Sequence, residues 1–512
     1  MVAGLGLAWV AFALHPVGDY FTESDFYAGY VAGARGIQQG RFDFGRYGAY
    51  GPLYELALAA VSWATRDLFV SARAISVASA IAVLATSWAW ARRRLGDAAA
   101  AWLVALLAVN PTFFRYGYSA GTDMLSFACF SLGLALLLVR RDVPGALAGG
   151  AAAGAAALTR YNLASLFPGA LVVWLARRPW RVAGRGAAAF ALAFLAVVGA
   201  FTIPSIRSGH RPGATLLHDA GFYLEDAPAT RLEERYGGGE PAPPSAAPAQ
   251  HLALRALTGL ATHAREDAMT LLGWPVAALV LIGLAWLLAT RAAGPLAELA
   301  PPFAAVFLPL APVFYTERYS MVLLPLELAP AALALGRAME RRRGWLAVPL
   351  GAAALLMTAV ACFRLQRLEQ LSIPVETLAA GRAIHARAHA GDRVLARKAH
   401  VAFAAGLEPV LFPDVRTIVE LGEFCRRERV RFLYFSWYEL RLRPQFGFLL
   451  DTSAVVPGLT PIHATVYKPE ATYRVGPELG ATPAWWRDPA ARDAIRARVN
   501  ALIARATAET PP

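Results

Sequence analysis

Apolar residues in this chain gather in long, nearly unbroken blocks. They show neither the alternation of a half-buried strand nor the single stripe of a water-facing helix. Blocks at 1–17, 72–91, 98–114, 122–139, 144–159, 162–177, 186–204, 268–290, 297–315, 319–337 and 345–363 predict about 11 transmembrane helices. Several reach about 18–22 residues, the length that crosses a hydrocarbon core of about 30 Å. The block at 53–65 is shorter and carries Glu55, so it predicts an interfacial or re-entrant helix rather than a span. The first block has no small-residue cleavage site and reads as an uncleaved first helix.

The pattern changes near residue 365. Residues 393–396 and 430–436 predict short strands, and 417–428 an amphipathic helix, with Pro409, Pro413 and Pro444 as punctuation. The organisation expected is an all-α polytopic membrane domain over 1–364 and a small α/β domain over 365–512. The segment 227–250, rich in Pro, Ala, Gly and Glu, predicts disorder inside the loop 205–267. No GxGxxG or phosphate loop supports a nucleotide site in the tail. The lack of an internal repeat argues against a transporter built from inverted halves.

Composition agrees: 57% of the residues are apolar and 17% charged, against roughly 25% charged in soluble domains. The formal charge of +13 sits at the ends of apolar blocks, at Arg92-Arg93-Arg94, Arg140-Arg141, Arg177-Arg178 and Arg341-Arg342-Arg343. That is the signature of short cytoplasmic loops and not of a nucleic-acid surface. With the N-terminus inside, every such cluster falls on the cytoplasmic side; counting 53–65 as a span would put them all outside. The loops 18–71 and 205–267 and the tail then face out, which puts the candidate chemistry on the outer side. Three cysteines make no disulfide framework, and no metal-ligand spacing of Cys or His occurs.

The same topology brings acids and arginines to one interface. Asp25 lies in the stretch Gly18-Asp19-Tyr20-Phe21-Thr22-Glu23-Ser24-Asp25-Phe26-Tyr27, and Asp123 opens a span. Arg160-Tyr161 and Glu317-Arg318-Tyr319 lie between spans at that level. Charged groups at a bilayer edge are costly unless they serve a site. A carboxylate can take the proton of an acceptor hydroxyl, and arginine forks match phosphate oxygens. Tyrosines at the same level suit sugar stacking. Each group also has a plainer reading: Asp19, Glu23 and Asp25 as solvated loop acids, Asp123 as a helix N-cap, Arg160 as a snorkelling cation, Arg318 as the partner of Glu317. His218-Asp219 could touch an acceptor.

Four stretches resemble the GT-C integral-membrane glycosyltransferases, and among them the bacterial branch of protein O-mannosyltransferases and aminoarabinose transferases. They are Ser24-Asp25-Phe26-Tyr27 with Gly51-Pro52-Leu53 and Arg73; Tyr118 to Asp123; Leu158-Thr159-Arg160-Tyr161; and Glu317-Arg318-Tyr319 with Leu323-Leu324-Pro325-Leu326. Relatives often have a second proline where Gly51 stands and a lysine in the first loop, where this chain offers Arg35, Arg41 and Arg46. The resemblance implies transfer of a sugar from a polyprenyl-phosphate donor to a hydroxyl acceptor of the envelope, with inversion. It implies Asp25 as general base, Asp123 as a second catalytic acid that orients the acceptor or supports the site, and Arg46, Arg160 and Arg318 as phosphate contacts. Tyr27, Tyr161 and Tyr319 would line the substrate. No cofactor is required, and the sequence leaves room for a divalent metal without demanding one. A flippase for lipid-linked sugars, or a receptor or assembly scaffold, is the competing class.

Overall fold

A computed structural model describes residues 2–214, 249–340 and 344–509. The chain divides into two compact units, the first formed from Met1–His15, Gly33–Asp226 and Pro244–Leu371 and the second mainly from Pro16–Ala32 and Ser372–Pro512. Most of 227–250, His218-Asp219 and Arg341 to Arg343 lie outside the described residues.

The first unit is an all-helical membrane bundle. Leu68–Leu95, Thr122–Val139, Trp180–Arg207, Glu317–Glu340 and Ala347–His385 are long and apolar enough to cross a membrane. The last of these is two helices parted around Pro374: Gly344–Ser372, and Glu376–His385, which belongs to the second unit. Shorter apolar helices cover the other predicted blocks: Val2–Leu14, Asp97–Ala108, Val143–Thr159, Tyr161–Leu175, Trp274–Ala289 and Ala300–Leu310. Leu53–Thr65 is a helix of 13 residues. Several helix starts are set by side chains that accept orphan backbone N–H groups. Asp67 does this for Leu68–Leu95, Asn110 for Pro111–Tyr116 and Asp142 for Val143–Thr159.

In lipid, apolar side chains gain little by leaving the solvent for each other, so close packing of small residues joins helices instead. Val143–Thr159 does this on two sides. A Cβ on Gly133 would lie 3.3 Å from the Ala153 nitrogen, and one on Gly150 would lie 2.1 Å from the Phe190 carbonyl oxygen. Leu192, Leu195, Leu281, Ile282, Leu356 and Phe363 remain exposed, as expected of a surface solvated by lipid.

The second unit is an α/β layer. Its five strands are β1 (Arg393–Ala396), β2 (Glu408–Leu411), β3 (Val430–Ser436), β4 (Leu459–Thr465) and β5 (Glu470–Val475), in sheet order β2-β1-β3-β5-β4. β1 runs parallel to β2 and β3, while β5 is antiparallel to β3 and β4. β3 is buried on both faces: Phe432 and Tyr434 pack with Val394 and Ile384, whereas Leu433 and Phe435 pack with Leu395 and Leu421. The sequence expectation for β1, for Ile418–Arg427 and for β3 matches these elements. It misses β2, β4 and β5. Pro409 and Pro461 demote two of those segments in any sequence reading. Pro409 is tolerated because β2 is a sheet edge, where a missing N–H costs no ladder bond.

Candidate functional site

The first unit gathers polar groups around Asp123. This residue sits in the first turn of Thr122–Val139, whose N-cap is Gly121, and no side chain caps that helix. The Asp123 side chain is 4% exposed. Its Oδ1 accepts from the Arg160 guanidinium and from Arg318 Nε at 2.7 Å. Arg160 leaves the end of Val143–Thr159 in extended conformation, and Arg318 lies in the short helix Glu317–Ser320. The Arg160 guanidinium also stands 5.5 Å from the centre of the Tyr319 ring. Asp123 therefore serves neither as the cap of its own helix nor as a solvated acid, and Arg318 pairs with it. Two guanidiniums share one carboxylate and keep partly exposed edges, 16% for Arg160 and 20% for Arg318. Guanidiniums present N–H donors in a planar geometry that fits phosphate.

A second cluster adjoins it. Glu55 is fully buried; it accepts from the Tyr47 hydroxyl at 2.8 Å and pairs with Arg46 at 3.3 Å. The Tyr161 hydroxyl donates to the Tyr47 carbonyl at 2.9 Å. Gly51 holds this loop against the residues that lead into Arg160, since a Cβ there would lie 1.9 Å from the Leu158 carbonyl oxygen. The obstacle is backbone, so a side chain cannot simply turn aside. Gly51→Ala is expected to destabilise the protein by about 1–3 kcal/mol, the usual range for overpacking, and to weaken binding of a phosphate ligand. Thermal melting and ligand titration of the purified variant check both.

Asp25 belongs to the second unit. It is exposed and precedes a five-residue π-helical turn, Phe26–Tyr30, without capping it. Its two acidic neighbours are buried and organise the loop: Glu23 Oε2 accepts from Asp19 N at 2.9 Å, and Asp19 Oδ1 accepts from Phe21 N and Thr22 N at 2.6 Å. Tyr27 is buried, its hydroxyl accepting from Gly18 N at 2.8 Å and its ring 3.9 Å from that of His400. Burial pushes the His400 imidazole down to about 3, so it is neutral and donates Nε2–H to the Asp19 carbonyl at 3.1 Å. Lys398 Nζ donates to Ser24 Oγ at 2.9 Å. Burial, then the Arg397 charge, push its ammonium down to about 8, against the opposing pull of Asp25 and Asp19.

No protein-family model and no curated protein matches this chain. Solved structures do. ArnT from Cupriavidus metallidurans bound to undecaprenyl phosphate superposes with a TM-score of 0.62 at 14% identity, over 94% of this chain and 98% of that one. The same protein in the apo state gives 0.57 at 13% identity, with the same coverage. The Archaeoglobus fulgidus oligosaccharyltransferase tethered with an acceptor peptide gives 0.52 at 14% identity, over 90% and 72%. These are GT-C glycosyltransferases. The chain has the GT-C fold.

Within that fold, the geometry adds residues that the sequence reading left out of the candidate site. Glu55 and Tyr47 organise Arg46 and Tyr161, and Lys398 reaches the loop of Asp25. Two signals pointed to them. A lone glutamate in an apolar helix is itself a mark of function, although it served above only to argue against a span. Lys398 is one of two lysines in a chain otherwise supplied with arginine.

Proposed function

We propose that this chain is a glycosyltransferase that moves a sugar from a polyprenyl-phosphate donor to a hydroxyl of an envelope glycan, lipid or protein. The reaction takes place at the outer face of the bacterial cytoplasmic membrane. The observation that carries this reading is the pair of partly exposed guanidiniums fixed on Asp123, in a fold shared with a protein crystallised with undecaprenyl phosphate. A polyprenyl phosphate keeps its hydrocarbon in the bilayer and its phosphate at the edge, which is the kind of ligand a cationic group on a membrane bundle suits.

Asp25 takes the proton of the acceptor hydroxyl, whose oxygen forms a bond to the anomeric carbon. The bond from that carbon to the phosphate oxygen breaks, and the phosphate leaves with the bonding electrons. Arg160 and Arg318 meet its charge, with Arg46 as a further donor. A single displacement from the face opposite the leaving group inverts the anomeric centre. Tyr161 and Tyr319 shape the substrate side of the arginines, and Tyr27 supports the loop of the base.

The test uses the full-length protein in lipid, a panel of polyprenyl-phosphate hexoses and pentoses, and an envelope extract as acceptor. Release of polyprenyl phosphate that depends on the acceptor is expected. Translocation of the donor across vesicles with no release from any donor would establish a lipid-linked sugar flippase instead.

A further inference from the structure

The arginines at the ends of Leu68–Leu95 and Thr122–Val139 play no part in the proposed transfer, yet they converge in space. Arg93, Arg94, Val139, Arg140, Arg141 and Asp142 line one open cleft of about 670 Å³. Arg177, from the end of a third apolar helix, joins them by donating to the Arg140 carbonyl at 3.4 Å and to the Leu137 carbonyl. Two carboxylates answer these five cations. Asp142 holds Arg140, and Glu298, ahead of Ala300–Leu310, pairs with Arg94 at 2.9 Å. Among the described residues Arg93 and Arg141 have no acidic partner, and both are exposed.

Solvation of loop arginines and compensation of helix C-termini explain isolated cations at span ends. They do not explain four arginines from two helix ends lining one cleft, with Arg177 bonded to the backbone beside them, where like charges oppose each other. An anion in the cleft relieves that opposition. The cleft opens at the end of membrane-crossing helices, and a guanidinium pair matches phosphate oxygens in geometry. Basic pockets between span ends are suited to lipid head groups.

We propose that this cleft binds the phosphate of an anionic phospholipid head group, with Arg93 and Arg141 as its principal contacts. The site does not depend on the proposed transfer reaction.

The experiment places the full-length protein in nanodiscs of phosphatidylcholine mixed with phosphatidylglycerol and counts retained lipids by native mass spectrometry. Phosphatidylglycerol is expected to be retained in preference. Arg93→Gln with Arg141→Gln should lower its affinity about 25-fold, about fivefold for each arginine at a membrane surface. Arg181→Gln with Arg185→Gln removes the same charge from exposed positions that do not line the cleft, and should weaken retention clearly less than the cleft pair. Thermal melting confirms that each pair of substitutions leaves the fold intact. Equal weakening by both pairs would reduce the effect to general attraction and overturn the site. So would wild-type retention without a preference for phosphatidylglycerol. Displacement of the lipid by millimolar inorganic phosphate would assign the cleft to free phosphate and overturn the head-group assignment.

Discussion

Replacing Asp25 with asparagine is expected to lower sugar transfer by about 10²–10⁴-fold, the usual contribution of a positioned general base. The two side chains have nearly the same size, and Asp25 is exposed, so packing changes little. If Asp25 is the base, the loss is its ability to accept a proton from the acceptor hydroxyl, together with the negative charge that acts on Lys398. Lys398 continues to donate to Ser24, and the turn that carries residue 25 stays fastened through Tyr27 and His400. The loss should therefore fall on kcat with donor binding nearly unchanged, the pattern of an interaction made only in the transition state. Asp19→Asn and Glu23→Gln supply the contrast. Their carboxylates accept backbone N–H groups inside the loop, so their first effect should be on the stability of the second unit. Turnover by Asp25→Asn at the wild-type rate would remove Asp25 as the base, whatever the fate of the glycosyltransferase reading.

The sequence made the membrane bundle legible because lipid imposes a coarse demand. A spanning helix must be apolar on nearly every face, and blocks of that kind are visible without knowing their neighbours. Pairing among helices is not visible in this way. Asp123 and Arg318 meet across 195 residues, and Lys398 meets Ser24 across 374. Charge placement supplied a common depth for Asp123, Arg160 and Arg318, and depth alone does not say which groups touch. Nor does hydropathy say which unit a short polar loop joins; residues 16–32 group with the C-terminal part of the chain.

The sheet shows a different limit. β3 is rich in strand-forming residues and stood out, although both of its faces are buried. β5 is also buried on nearly its whole length, but it starts at Glu470 and includes Arg474, so neither alternation nor a continuous apolar run announces it. Glu470 is tolerated there because its Oε2 accepts from Thr472 Oγ1 at 2.8 Å. Burial pushes its carboxyl up to about 8, which keeps the charge off the strand at neutral pH. A local compensation of that kind leaves no trace in a pattern of polar and apolar letters.

Asp123→Ala is expected to damage both stability and transfer. Removing one partner of a buried charge group typically costs about 3–5 kcal/mol, because the remaining charges lose their compensation. Here Arg160 and Arg318 would face each other across the gap left by the carboxylate. Asp123→Asn keeps the shape and one acceptor oxygen but not the charge, so it should fall between the wild type and alanine in thermal stability. A double-mutant cycle with Arg160→Gln separates the two roles that the sequence left open for this residue. If Asp123 holds the arginines, removing Arg160 relieves the repulsion, and the double variant should be more stable than the sum of the single losses. Donor binding should fall in every variant: Arg318 loses its anchor where Asp123 is replaced, and Arg160→Gln removes one of the proposed phosphate contacts. If Asp123 instead touches the acceptor, Asp123→Asn should lower kcat while leaving melting temperature and donor affinity intact, and the cycle should show no coupling. Both guanidiniums converge on the same Oδ1, which favours the first outcome, with Asp123 holding in place the cations proposed to meet the phosphate.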